Sequence, residues 1–281
     1  MHSLIAFRQF KDKVFTGTIV FFSILSVIPL LLILGYLISM GLSSISWEFL
    51  VSLPKPLGEV GGGIANALVG TIYLIAIASF VAIPFGVAAG VYLAENKESR
   101  LSYWVRLSVE ILQGVPSIVI GVVAYTWLVL PLKTFSAVSG GLALAMMMLP
   151  VIVRTTEETL KMIPGSLKEA SLALGVPYST TLFKVVIPAG VSGIVTGVLL
   201  SVARIAGETA PLLFTAFGSP FLSFGLNKPI ESLPHLIYYY AMSPYEEWHR
   251  LAWGASFILV VGVLLLNIIA KVVVRRWKVQ F

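Results

Sequence analysis

Apolar segments of membrane-spanning length recur along this chain, and they constrain its fold more than any other feature. A helix needs about 20 apolar residues to cross roughly 30 Å of hydrocarbon at a rise of 1.5 Å per residue. Segments at 14–40, 66–94, 107–131, 136–153, 189–217 and 251–274 read as such spans, the fourth being short and the third carrying polar interruptions. Of the 281 residues, 58% are hydrophobic and 11% charged, where a soluble domain carries about 25% charged residues. Lipid must therefore replace water around much of the surface. The sequence predicts an all-α integral membrane protein with six transmembrane helices in one domain, 1–281. The first segment is too long for the apolar core of a signal peptide and is followed by no convincing cleavage site, so it reads as an uncleaved helix.

The distribution of cations orients the six spans. Lys55, Lys133, Lys228 and Arg250 fall on one side, and Arg204 lies within a span. The rest of the 19 Lys and Arg, from Arg8 to Lys278, fall on the other side with both termini. Both termini are thus expected in the cytoplasm. The net charge of +6 follows from this inside-positive bias. No basic stretch is interleaved with aromatics in an exposed domain, so nucleic acid is not an expected partner. Tyr238, Tyr239, Tyr240, Trp248 and Trp253, in the outer segment 218–250 and just beyond it, fit an interfacial belt, or a contact surface for an extracytoplasmic partner. Small residues at Gly86 and Gly90, and at Gly193, Gly197 and Ser201, allow close helix approach, within the chain or between subunits. Met146, Met147 and Met148 read as adaptable packing.

The chemistry that is missing narrows the function. Cysteine is absent, which excludes a disulfide framework, a thiolate metal site and a cysteine nucleophile. There is no G-x-x-x-x-G-K-[ST] phosphate-binding loop, no G-x-S-x-G and no H-E-x-x-H. His2, His235 and His249 are scattered and predict no metal site. A polytopic protein of this kind is a transporter, a channel or an assembly factor before it is an enzyme.

The polar residues inside the spans carry the sharpest local signal. Arg204 and Glu208 are four apart, hence on one helix face. A charge at the centre of a span costs about 2.5–3.5 kcal/mol, so such a pair faces protein or a water-filled path. It either lines that path or holds helices together. Guanidinium is the side chain best shaped to engage an oxyanion. Thr209 and Pro211 suggest a helix break at the same depth. Glu110 and Gln113 precede Gly114, Val115, Pro116 and Ser117 in the third span, which marks either a simple kink or a second segment lining the path.

The polar segment 154–188 lies between two oily ones. Pro164 and Gly165 mark a turn, a short helix is expected from Ser166 to about Leu174, and Gly175 followed by Pro177 supplies the stop. Glu169-Ala170-Ser171, Gly175 and Ile187-Pro188 resemble the E-A-A-x-x-x-G loop of binding-protein-dependent ABC importer permeases, with Ser in place of the second Ala. ARIAGETAPLLFTA (203–216) and QGVPSIVIGVVAY (113–125) are similar to the A-type permeases of the phosphate-specific (Pst) group, and the resemblance covers the chain from the first span to the C-terminus.

That resemblance implies a type I ABC importer fold in a bacterial or archaeal cytoplasmic membrane. It implies that Glu169, Ala170, Ser171, Gly175 and Pro188 dock an ATPase. It puts Arg204 and Glu208 in the translocation region, with Thr209, Glu110 and Gln113 as further candidates. The implied partners are a second permease subunit, two ATP-binding subunits and an extracytoplasmic phosphate-binding protein. ATP and Mg would be bound by the ATPase, and no cofactor by this chain. A permease for sulfate or molybdate, an ion-coupled carrier using Glu208, and a structural assembly subunit are the competing readings.

Overall fold

The computed structural model describes residues 2–56, 58–59 and 61–276; Lys278, counted above among the inner cations, lies outside them. The described residues form eleven helices. They are α1 (His2–Leu42), α2 (Trp47–Val51), α3 (Ala65–Glu95), α4 (Arg100–Gly114), α5 (Ser117–Leu132), α6 (Ala137–Lys161), α7 (Gly165–Ala173), α8 (Tyr178–Ile205), α9 (Ala210–Thr215), α10 (Leu233–Ala241) and α11 (Glu246–Arg276). Five are long and apolar enough to cross a membrane: α3, α6, α8, and the parts Phe10–Leu42 of α1 and Glu246–Ile269 of α11. The pair α4–α5 is bent by 108° between its halves. Val115 and Pro116 interrupt it, because proline has no N–H to donate and pushes its predecessor out of helical geometry.

The packing of α3 on α6 decides how the broken pair is counted. Gly140 of α6 meets Leu74 of α3, Gly86 meets Ile152, and Gly90 meets Val153 and Thr156. The numbers rise together, so α3 and α6 run in the same direction. The chain between them must therefore return across the bilayer, and α4–α5 is that return. Gly190, Gly193 and Gly197 of α8 meet Leu160, Thr159 and Thr155 in descending order, so α8 runs antiparallel to α6. Both stripes of small residues thus pack inside the chain, on α6. That helix is the most enclosed of the spans, and Met147 and Met148 are buried in the core around it, with Met146 packed against that core.

Several spans differ in extent from those read in the sequence. The third, placed at 107–131, begins earlier and is broken. The fourth, placed at 136–153, continues to Lys161. Its charged last turns stay helical because each charge finds a partner: Arg154 pairs with Glu158, and Glu157 with both Lys161 and Arg106. The fifth, placed at 189–217, begins at Tyr178 and ends at Ile205. Wider π turns at Leu182–Val186 and Tyr125–Val129 precede Pro188 and Pro131, easing the clash of each ring with the carbonyl four residues back. The segment between spans is accordingly 162–177 and not 154–188. The first and last helices are also longer than the spans 14–40 and 251–274.

One end of the bundle is closed by the segment between α9 and α10. Its carbonyls at Lys228 and Leu226, with that of Thr215 at the end of α9, accept from the backbone N–H groups of Ala137, Val138 and Ser136 respectively, satisfying donors at the start of α6 that no helix turn can. From α3, Asn66 Nδ2 donates to the Ser219 carbonyl at 2.7 Å and the Tyr73 hydroxyl to the Phe224 carbonyl at 3.1 Å, while Thr71 Oγ1 accepts from Leu233 N at 2.8 Å. Three of the aromatics expected in a belt are drawn into packing: Tyr240 is buried and stacks on Trp248, and Trp253 meets Tyr36 edge-on.

A Cβ added at Gly90 would stand 2.5 Å from Thr156 Cβ and 2.7 Å from the Val153 carbonyl oxygen. Gly90→Leu should therefore lower stability by about 1–3 kcal/mol despite leucine's better helix propensity. Gly17→Ala, with nothing within 4 Å, should be neutral or slightly stabilising. Thermal unfolding of the purified variants in detergent checks the pair; equal melting points would sink the wedge argument.

Candidate functional site

Two regions of this framework bring polar residues together, one at the ends of interrupted helices and one around α7. The first begins with α8, a rod of 28 residues, or about 42 Å. Its length exceeds the roughly 30 Å of hydrocarbon. Arg204 lies in its last turn and is exposed, with the guanidinium at the helix end whose free carbonyls favour a cation. The helix stops at Ile205. Gly207 and Glu208 make only short backbone bonds to the carbonyls of Arg204 and Ile205, and Pro211 opens α9.

Glu208 therefore stands in the break and not one turn above Arg204. The expectation that the two share a helix face is corrected here: Gly207 and Pro211 do not continue an α-helix. The two charges attract through space, and the Glu208 carboxylate faces the Ser117 side chain. Ser117 is the first residue of α5, just past the other break. Thr209 is half-buried at the N-cap of α9. Gly121 of α5 allows this meeting, since a Cβ there would stand 2.9 Å from Pro211 Cα. The broken crossing α4–α5 is thus laid against the break between α8 and α9, with Ser117, Glu208 and Thr209 at the junction and Arg204 in the last turn of α8. Sequence reasoning passed over Ser117; its signal was a hydroxyl directly after the Val115-Pro116 break.

Glu110 and Gln113 occupy α4, on the other side of its break. Glu110 Oε1 is 3.5 Å from Arg154 Nη1, and Gln113 Nε2 donates to the Pro150 carbonyl at 3.2 Å. Both tie α4 to α6, and neither is bonded to Arg204 or Glu208 among the described residues. Lower on the same pair of helices, Arg106 donates to Glu157 at 2.7 Å and to the carbonyls of Lys97 and Leu93 at 2.9 Å each. Glu157 is 3% exposed, and its buried charge is shared between Arg106 and Lys161.

The second region is α7 and its neighbours. Pro164 starts the helix, Leu174 caps it, and Gly175 leaves it at φ +77°, a conformation that glycine adopts without strain. Glu169, Ala170, Gly175 and Pro188 are exposed, as are Leu172 and Leu174. Ser171 is buried, and its hydroxyl bonds that of Thr181 at 2.9 Å. This explains the serine where the related loops carry alanine: it latches α7 to the start of α8. Lys168 bonds the Glu95 carboxylate, as does the Tyr178 hydroxyl. Burial works against the Lys168 charge, but the hydrogen bond and charge of Glu95 outweigh it and hold the ammonium above its usual pKa.

Thr181→Val should leave the Ser171 hydroxyl buried without its partner and cost about 1–3 kcal/mol. The double variant Ser171→Ala/Thr181→Val should recover most of that loss, because both polar groups are gone. A double variant as unstable as Thr181→Val, read by thermal unfolding, would mean that packing and not the bond holds α7.

The fold is shared with known transporters. A chain of the MetNI methionine ABC transporter in an inward-facing form superposes with a TM-score of 0.64 at 21% identity, covering 77% of this chain and 98% of that one. The family described as binding-protein-dependent transport system inner membrane component matches residues 82–279. The phosphate transport system permease protein PstA of Yersinia pestis is 43% identical over 89% of this chain and 85% of its own length. A probable PstA of Methanocaldococcus jannaschii is 36% identical over 90% of each. The chain is a multi-pass membrane permease that belongs to the binding-protein-dependent transport system inner membrane components, among the PstA permeases.

Proposed function

We propose that this chain is one membrane subunit of an ATP-driven importer of inorganic phosphate. The observation that carries the proposal is the junction of the α4–α5 break with the break after α8, where the Glu208 carboxylate faces Ser117 and lies within the field of Arg204. Half-helices whose ends converge on a polar spot are how transporters bind ions inside a membrane. A guanidinium fits the oxygens of phosphate, and the names of the PstA relatives point to the same substrate. Glu208 orients the Arg204 field and accepts a hydrogen bond from a protonated phosphate oxygen, which sulfate lacks near neutral pH. Thr209 supports the same site. Glu110 and Gln113 act one step away, by fixing the α4 break against α6.

The remaining roles follow from the family. The chain sits in the cytoplasmic membrane of a bacterium or archaeon with both termini and α7 in the cytoplasm, as the Lys and Arg distribution favours. A second permease subunit completes the path. A phosphate-binding protein docks outside. Two ATPase subunits, which hold the ATP and Mg, receive Glu169, Ala170, Gly175 and the exposed Leu172 and Leu174. Ser171 holds that knob from within, and the exposed Pro188 borders it on α8. Because α7 is latched to α8, a push from the ATPase reaches Arg204 along one continuous rod.

The test is uptake by the full complex in proteoliposomes. The parent should take up phosphate only with ATP inside and the binding protein outside, and should ignore ionophores. Arg204→Gln should lower the rate at least about tenfold, the loss of one charge-assisted contact, with the complex still assembled. Glu208→Gln should narrow the preference for phosphate over sulfate. Uptake without the ATPase, or collapse with an ionophore, would favour an ion-coupled carrier. Unchanged rate and selectivity in Glu208→Gln would remove its assigned role.

A further inference from the structure

Glu95 is the last residue of α3, where the free carbonyls of a helix end disfavour an anion. Its side chain is 12% exposed, so water does little to relieve it. The charge is tolerated because two donors converge on one carboxylate oxygen, Oε2: the ammonium of Lys168 from α7 and the hydroxyl of Tyr178 from the first turn of α8. The Lys168 nitrogen also lies 4.7 Å above the centre of the Tyr178 ring, a cation–π contact that holds all three groups in one stack. Among the described residues this is the one ion pair that α7 makes.

Two separate attachments of α7 result. Ser171 ties it to α8 through Thr181. Lys168 ties it to α3 through Glu95. The first leads along α8 to Arg204. The second leads along α3, packed on α6 at Gly86 and Gly90, to the opposite end of the bundle. There Asn66 and Tyr73 hold the carbonyls of Ser219 and Phe224, and Thr71 holds the backbone of Leu233. Ser219 and Phe224 belong to the segment that follows α9 and closes that end, and Leu233 is the first residue of α10 just after it. Displacement passed through α8 alone would act on the Arg204 end, while the hydrogen bonds from α3 would hold the closing segment back.

We propose that Glu95, clasped by Lys168 and Tyr178, is a positioning residue that couples α7 to α3, so that movement driven at α7 reaches the closing segment 216–232 together with the Arg204 end of α8. The inference rests on the importer reading above. It adds a second mechanical route, carried by rigid elements in continuous contact.

The experiment measures phosphate taken up per ATP hydrolysed by the complete complex with its binding protein. Glu95→Gln and Lys168→Met should each lower that ratio about five- to tenfold, with ATP hydrolysis kept within about twofold of the parent, a loss in the range of coupling mutations remote from ligand. Glu95→Gln/Lys168→Met should fall no further than either single variant, because both remove one bond. Lys168→Arg should restore most of the ratio. A merely structural role would lower the yield of assembled complex and leave the ratio of the assembled fraction intact, which would overturn the proposal. So would losses that multiply in the double variant. Tyr178→Phe keeps the ring and removes one donor. If Glu95→Gln does not assemble, a ratio lowered about twofold in Tyr178→Phe supports the clasp and an unchanged ratio overturns it. A parent complex without ATP-driven phosphate uptake sinks the importer reading and this inference together. A transporting parent with unaffected variants sinks the clasp alone.

Discussion

The close approach of α3 and α8 to α6 is the constraint on which the other features depend. In lipid there is little hydrophobic drive between helices, and association relies on tight packing. Gly86 and Gly90 on one side, and Gly190, Gly193 and Gly197 on the other, remove the side chains that would hold the backbones apart. The parallel run of α3 and α6 then forces the intervening chain to cross back. A chain that must return and also accommodate Val115-Pro116 does so as two half-helices. The interrupted crossing is thus a consequence of how its neighbours pack, and it is what places Ser117 opposite Glu208.

Charge is handled differently at the two ends of this framework. Around α7, acidic and basic groups are matched closely: Arg106, Glu157 and Lys161 in one group, Arg154 with Glu110 and Glu158 in another, Glu95 with Lys168 and Tyr178 in a third. Where the carboxylate is enclosed, as at Glu157 and Glu95, such matching makes a firm joint. At the break near Arg204 the groups face one another without ion-pair contact, and Arg204 is exposed. A guanidinium that is not consumed by a partner can engage an anion. The firm joints pass displacement along α3 and α8, and the looser junction is where a moving ion could be held and released.

The sequence was legible where local chemistry decided the outcome. Gly175 at φ +77° ends α7 where turn chemistry predicts, and α7 lies within one residue of the expected helix. It was less legible where partners distant in sequence decided. Lys161 ends α6 well past the expected boundary because Arg106, 51 residues away, helps neutralise Glu157. The shared helix face of Arg204 and Glu208 failed because residue spacing assumes a continuous helix, and Gly207 and Pro211 end it.

The sequence by itself determined that the chain must be a bundle of membrane-crossing helices, because apolar length and charge depletion leave lipid as the solvent. It also determined where breaks and turns could occur, since proline and glycine act on their own backbone. Only the tertiary structure decided which breaks meet, which glycines carry the close contacts, and which carboxylates have cations within reach. Those outcomes depend on distances between residues far apart in the chain: Ser117 and Glu208 at the junction, Glu95 and Lys168 at the clasp. Such distances are set by the packing of whole helices and are written in no local pattern.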